Sequence, residues 1–513
     1  MNKFKNCQLS IILLYCIVSI VIFISQAHAR DDAHEPTSLF TPTDTQASLH
    51  LDISTHFRQQ NIVINPAFLK TESEANERIH IEFLDQSIIA KRTKFLSGIR
   101  GSVTWIGKPE GRDGTIVLAA CGNTLFGRIE IGNEAYQIEP VPNTANHRIF
   151  KIDPDFAAPI DTGSLIPPPD TFYDRTYRDS DGSIKKDDGS VIDVLVLYTD
   201  GFATTYTDDT LVSKISYLAS VANTAYTNSE INLTVRVVGL EQVNYKDGGS
   251  LSDALNDLTY GTGVFSKISS LRSRLGADLV VLMRVYSIDN DACGLAWQMT
   301  SLSSAFEKYA FSVVQVGSSG RYYCTDQTLA HEMGHNMGCD HEAAYATKGL
   351  FNYSYGYCFS PYKSVMAYCT NSETTVSYFS NPDVSYNGLV TGADDANNAK
   401  SINKAKLTVS QFQDSKCLGS IEVSGSKLIL NREGSAEITV TITGEYDAPA
   451  ESETIETKVD ASGKKLISVL PSSSTTNADG QVSFVITAGK KAGKTRITFK
   501  AGCLKKSVSV KIQ

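Results

Sequence analysis

The 513 residues carry a formal net charge of −9, with no basic block, which disfavours nucleic acid as a partner. That length allows about three domains of ordinary size. The chain opens on an address: Lys3 and Lys5 precede an apolar run from Ile11 to Ile24, and Ala27-His28-Ala29 has the small-x-small form of a cleavage site. A retained membrane anchor is the rival reading, but the run is short for a span, so cleavage after Ala29 is expected. No other stretch reads as a span, and the mature protein is expected to be soluble and secreted. Cys7 and Cys16 fall in this leader, leaving eight of the ten cysteines for an oxidising compartment. Leu13-Leu14-Tyr15 lacks the small residues expected before a lipidated Cys16.

Residues 30–186 mix polar stretches with short strand-like runs at Ile79–Phe83, Gly101–Gly107, Thr115–Ala120, Leu125–Ile131 and Ala135–Ile138. Turns between several of them predict a small β-rich module. From about residue 165, Ile166-Pro167-Pro168-Pro169-Asp170 opens a linker that continues through Asp179-Ser180-Asp181-Gly182-Ser183 to Lys185-Lys186. Such composition favours exposed, extended chain that a protease can cut.

The next section alternates. Val191–Tyr198 is a continuous apolar run of buried-strand type, and Asp209 to about Ser229 is helical, with Leu211, Ile215, Leu218 and Val221 on one face. A strand at Leu233–Leu240, a helix over roughly Val264 to Leu275, and strands at Ala277–Tyr286 and Ala310–Val316 follow. The alternation predicts a mixed, mostly parallel sheet with helices packed on it. Ala393 to Phe412 is expected to be a closing helix.

Between these lies His331-Glu332-Met333-Gly334-His335-Asn336-Met337-Gly338-Cys339-Asp340-His341. It is expected on a helix capped by Asp326, with Leu329, Ala330, Met333 and Met337 on one face and His331 and His335 projecting from the other. Imidazoles at i and i+4 lie about 6 Å apart along the axis, which suits one small cation. Gly338 can end the helix in a left-handed turn that brings His341 round as third ligand, leaving one zinc position open for water. Glu332 is placed to take a proton from that water. A helix with merely decorative histidines is the bland alternative, yet no other histidine follows position 147.

Downstream, Ser364-Val365-Met366-Ala367-Tyr368 reads as a Met-turn, its methionine packing beneath the histidines. The complete extended motif and this turn together resemble the metzincin clan of zinc endopeptidases. Asp193-Val194-Leu195-Val196-Leu197-Tyr198, Gly276-Ala277-Asp278-Leu279-Val280, Cys293-Gly294-Leu295-Ala296 and Phe379-Ser380-Asn381-Pro382 are similar to the reprolysin-like and peptidyl-Asp metallopeptidase group. The resemblance spans about 191 to 413. It implies one catalytic zinc on His331, His335 and His341, Glu332 as base, and protein or peptide substrates. It also implies that the strand ahead of the motif, Ala310–Val316, is an edge strand receiving substrate by β-addition. Tyr368 corresponds in spacing to a tyrosine that contacts zinc or supports the oxyanion in other branches; an ordinary packed aromatic is the alternative. Relatives of this type are commonly made as zymogens, which implies a propeptide at 30–186, and Cys121 is then either an inhibitory thiol on zinc or a plain buried cysteine. Calcium is compatible with such folds, but no dedicated acidic loop supports it.

Two departures from the family pattern stand out: Glu342 where many relatives have aspartate, and Cys339 between the ligands. Candidate disulfides are Cys293 with Cys324, Cys358 with Cys369, and Cys417 with Cys503; Cys339 pairing with Cys358 or Cys369, or its thiolate replacing His341, stays open. Beyond Cys417, Glu437–Ile442, Val482–Thr487, Thr495–Lys500 and Ser507–Ile512 alternate with period two. Asn477-Ala478-Asp479-Gly480-Gln481-Val482-Ser483-Phe484 resembles bacterial Ig-like domains of the invasin type, implying a β-sandwich that acts as spacer, stabiliser or binder of a surface ligand. The expected division is 1–29 signal peptide, 30–186 β-rich propeptide, 187–416 α/β metallopeptidase and 417–513 Ig-like sandwich. The rival functions are an adhesin with a non-catalytic metal domain and a zinc hydrolase of non-peptide bonds.

Overall fold

The computed structural model describes residues 36–42, 59–64, 76–168, 188–290, 292–369, 373–414, 419–444, 449–450, 453–460, 463–501 and 504–513. The expected leader with Cys7 and Cys16, most of the expected linker after Pro168, and both members of the candidate Cys417–Cys503 pair lie outside them. Among the described residues no helix is long and apolar enough to cross a membrane.

The N-terminal section is an antiparallel meander running from Arg78–Phe83 through Gln86–Ser97, Val103–Pro109, Gly114–Cys121, Thr124–Ile131 and Glu134–Pro140 to His147–Lys151, with Gln59–Ile64 added beside the last strand. Thr37–Ser38 pairs with one outer strand and Phe40–Pro42 with the other, so one short segment closes the sheet into a barrel. Inward-facing Ile116, Leu118, Ala120 and Trp105 fill it. Every residue of Gly114–Cys121 is buried because its other face, Val117 and Ala119, packs on a second cluster. Period-two alternation with two covered faces produces that unbroken apolar run.

The covering element is the helix Asp208–Asn228, buried continuously from Leu211 to Tyr226. It packs on one side against the barrel, with Ser102 Oγ 2.8 Å from Ser216 Oγ and Ser213 Oγ donating to Ala119 O at 3.0 Å. On the other it meets a five-stranded sheet in the order Thr234–Val243, Val191–Thr199, Leu279–Val285, Phe311–Val316, Gly294–Ala296. The first three pairings are parallel and the last antiparallel. Phe311–Val316, expected at the edge, is therefore interior: Cys293-Gly294-Leu295-Ala296 folds back and covers it. The helix expected at 264–275 is a short turn at Gly263–Phe265 followed by Ile268–Leu275, and Leu251–Tyr260 is an additional helix. Residues Ser420–Ile512 form sheets of four and five strands that share one apolar cluster containing Ile438, Phe484, Ile497, Phe499 and Val508.

Candidate metal centre

The motif helix runs Thr328–Asn336 and all of it is buried. Its N-cap position is Gln327, not Asp326. Asp326 is instead drawn into the core, accepting from Lys214 Nζ at 3.2 Å and Tyr217 Oη at 2.6 Å. A buried lysine needs a counter-charge more than the helix needs a cap. Gly338 adopts φ +85°, and the chain turns back as its spacing predicts. Asp340 fixes the return, accepting from the His341 amide at 2.8 Å through one oxygen, and from the Thr347 and Lys348 amides at 2.9 and 2.8 Å through the other.

This brings three imidazoles together. His331 Nε2 lies 3.2 Å from His335 Nε2 and 3.3 Å from His341 Nε2. Zinc–nitrogen bonds of about 2.05 Å in a tetrahedron place neighbouring donors about 3.3 Å apart, so the donor set fits such an ion. His331 Nδ1 donates to Val365 O at 2.8 Å, and His335 Nδ1 faces Gln298 Oε1 and Cys339 O at 2.8 and 2.9 Å. Oxygen acceptors at Nδ1 put the ring proton there and turn the Nε2 lone pairs inward. Burial holds His335 down to about 4, keeping it neutral. Met366, fully buried, lies under the helix: a Cβ on Gly334 would sit 2.5 Å from its sulfur.

Glu332 is fully buried and neither carboxylate oxygen has a hydrogen-bond partner. Burial first, then the charge of Asp161, raises it well above the usual carboxylate range. It lies tight against Gly294 of the edge strand, where any Cβ would overlap Oε1. The ring of Tyr368 stacks on His341 with centroids 3.9 Å apart. Its loop is tied by Glu342, whose carboxylate accepts from the Tyr368 and Cys369 amides, each at 2.8 Å, and by the Cys358–Cys369 disulfide. Glu342, a departure from the family pattern, thus anchors the Met-turn loop. Cys293 is bonded to Cys324.

A fourth donor comes from a residue the sequence did not single out. Asp161 Oδ2 stands 3.2, 2.9 and 3.1 Å from the Nε2 atoms of His331, His335 and His341. Burial opposes its ionisation, but the three imidazoles packed around it, His331 foremost, hold it well below the ordinary aspartate range. No spacing rule links it to residues at least 170 positions away. Gln298, which meets His335, likewise carries no motif signal, although it closely follows the Cys293–Ala296 stretch.

Cys121 is not at the centre. Its thiol faces Arg100 O and Asp209 Oδ1, both at 3.7 Å, and burial followed by the Asp209 charge pushes it up to about 11, opposing a thiolate. The inhibitory-thiol expectation is corrected: its strand is committed to the barrel–helix contact. Cys339 is a free, buried thiol directed at Asn398 O, so it neither replaces His341 nor joins Cys358 or Cys369. A second grouping, Glu342 with Cys358 and Cys369, has its sulfurs consumed by the disulfide.

Beside Asp161 a cavity of about 530 Å³ separates the barrel from the sheet domain, bounded by Arg128, Tyr323, Lys363, Tyr368 and Thr375 among others. Residues 188–380 match the family model Reprolysin_5, metallo-peptidase family M12. A peptidyl-Asp metalloendopeptidase of Stenotrophomonas maltophilia strain K279a is 28% identical over 370 residues, covering 66% of this chain and 84% of that protein. The peptidyl-Asp metalloendopeptidase of Xanthomonas campestris pv. campestris is 25% identical over 360 residues, covering 66% and 82%. Three converging imidazoles, a buried carboxylate beside them and these similarities agree: residues 188–380 are a metallopeptidase domain of family M12, and the chain is a metalloendopeptidase.

Proposed function

We propose that the chain is a secreted zinc endopeptidase, made with a leader at 1–29 and a propeptide at 30–186, with its catalytic domain at 187–416 and an Ig-like β-sandwich at 417–513. The observation that carries this reading is the triangle of Nε2 atoms spaced for a tetrahedral ion, with Glu332 buried and unpartnered next to it. Zinc is favoured by a set of three imidazole donors at tetrahedral spacing. When bound there, it supplies Lewis acidity toward a scissile carbonyl and lowers the pKa of a water toward roughly 7.

The protein's own groups do the rest. His331, His335 and His341 hold the ion, oriented by Val365 O, Gln298 and Cys339 O. Glu332 accepts the proton of the attacking water and delivers it to the leaving amine. Tyr368, at the rim, donates to the developing oxyanion. Gly294–Ala296, the edge strand of the sheet, takes the substrate backbone in place of Phe311–Val316. The names of the relatives favour cleavage beside aspartate, and the Lys363 ammonium on the cavity wall suits an acidic side chain. The C-terminal strands support a spacer or surface-binding role through their two-sheet packing alone.

Replacing Glu332 by Gln in the processed protein is expected to leave one metal per chain while casein digestion falls by about a thousandfold or more. Digestion at the parental rate removes Glu332 from its role.

A further inference from the structure

We propose that Asp161 is a fourth metal ligand, supplied by the N-terminal section, so that the uncut chain holds its ion in a closed four-donor site with no vertex for water or substrate. The inference rests on the metallopeptidase reading above and deepens it.

Asp161 lies on a strap, residues 157–165, that leaves the barrel and crosses the catalytic face. The strap is fastened on both sides of the aspartate. Before it, Ala158 N donates to Tyr323 O at 2.8 Å and Cys293 N to Pro159 O at 2.9 Å. After it, Leu165 N donates to Ala296 O at 2.9 Å and Gln298 N to Leu165 O at 2.7 Å. Both bridges, Ala157 with Tyr323 and Leu165 with Trp297, run parallel. The strap therefore occupies the backbone groups of the edge strand and its flanks that an extended substrate would need. Between the two anchor points the chain bows inward and sends one carboxylate to the imidazoles.

Both oxygens of that carboxylate are engaged. Oδ2 is within 3.2 Å of all three Nε2 atoms, completing the tetrahedral set whose nitrogen edges are 3.2 and 3.3 Å. Oδ1 accepts from the Tyr368 hydroxyl and, at 3.1 Å, from the Gly163 amide. The same contact thus withdraws the tyrosine from the substrate. A three-imidazole site with an open vertex is a catalytic arrangement, and a filled fourth position is a structural one. The strap escapes cleavage for the same reason: the oxygen over the ion belongs to its own side chain, and Glu332 has no water to activate. Cutting the chain between Pro168 and Asp188 would leave the strap held by noncovalent contacts alone. The effective concentration that tethering gives it would then be lost.

The test uses the full chain with Glu332→Gln to stop self-processing, loaded with cobalt(II), titrated with acetohydroxamate and read by the visible absorption of the metal. Three proteins are compared: Asp161 intact, Asp161→Asn, which is nearly isosteric and keeps the fold, and Leu165→Pro, which removes one strap anchor without touching the centre. With Asp161 intact the spectrum should resist hydroxamate, whereas Asp161→Asn should bind it about a hundredfold more tightly, as expected when a tethered competitor is removed. Leu165→Pro should fall between. Equal hydroxamate affinity in all three proteins overturns the fourth-ligand proposal and leaves the metallopeptidase reading standing. Absence of cobalt from every protein overturns both.

Discussion

At the residue scale the centre depends on small groups as much as on ligands. Gly294 has no side chain, and that absence makes room for Glu332: a methyl there would overlap Oε1. Gly294→Ala is expected to retain metal and fold while kcat falls about a hundredfold, since displacing a reacting group by an ångström costs on that order. Metal analysis alongside peptide-hydrolysis kinetics checks it, and unchanged kcat would show that the base tolerates displacement. Glu342 illustrates a departure that turns out to be structural. One carboxylate binds two successive amides, Tyr368 N and Cys369 N, holding the aromatic ring over His341.

At the element scale, the barrel carries a pH-sensitive buried group of its own. His147 is 3% exposed, and its Nε2 accepts from the Leu125 amide at 3.0 Å, which only an unprotonated nitrogen can do. Burial lowers its pKa to about 4, from 6.5 in the unfolded chain. Between those values the unfolded state binds more protons than the folded one, so stability is full above about pH 6.5 and declines as pH falls toward 4. The loss should approach about 3 kcal/mol at the low end. With Trp297→Phe leaving Trp105 as the lone tryptophan, denaturant midpoints at pH 7 and pH 5 measure it. A His147→Gln variant should flatten the dependence. If the parental midpoint is the same at both pH values, the buried histidine carries no such linkage.

At the scale of the whole molecule, the barrel and the metallopeptidase section meet through more than the strap. Arg128 and Glu130, on the barrel strand Thr124–Ile131, are buried together at 2.6 Å. Arg128 donates to Thr375 O at 3.1 Å, and Glu130 accepts from Ser377 Oγ at 2.8 Å, on the segment following the Met-turn loop. Removing one partner strands the other charge in the interface. Glu130→Ala is therefore expected to weaken barrel attachment by about 3 kcal/mol. Gel filtration of chain nicked between residues 168 and 188 checks it: fragments should separate in the variant at concentrations where the parent stays associated.

Local chemistry made part of this legible in the sequence. The i, i+4 histidines, Gly338 and His341 lie within one helix and one turn, so their spacing alone converges them, and Met366 with Tyr368 follows as a compact second signal. Strand periodicity likewise marked five barrel strands and the parallel core. Other features depended on contacts between distant segments. Asp326 looked like a helix cap until the burial of Lys214 claimed it. Phe311–Val316 looked like an edge until Gly294–Ala296 folded back across it. Gln86–Ser97 escaped notice because much of its length is exposed and its alternation is diluted by polar residues. Asp161 shares no helix, turn or period with the histidines it meets. The sequence determined which donors could hold an ion. Only the tertiary structure, by strapping a distant carboxylate across the edge strand, decided whether the ion's last position is open.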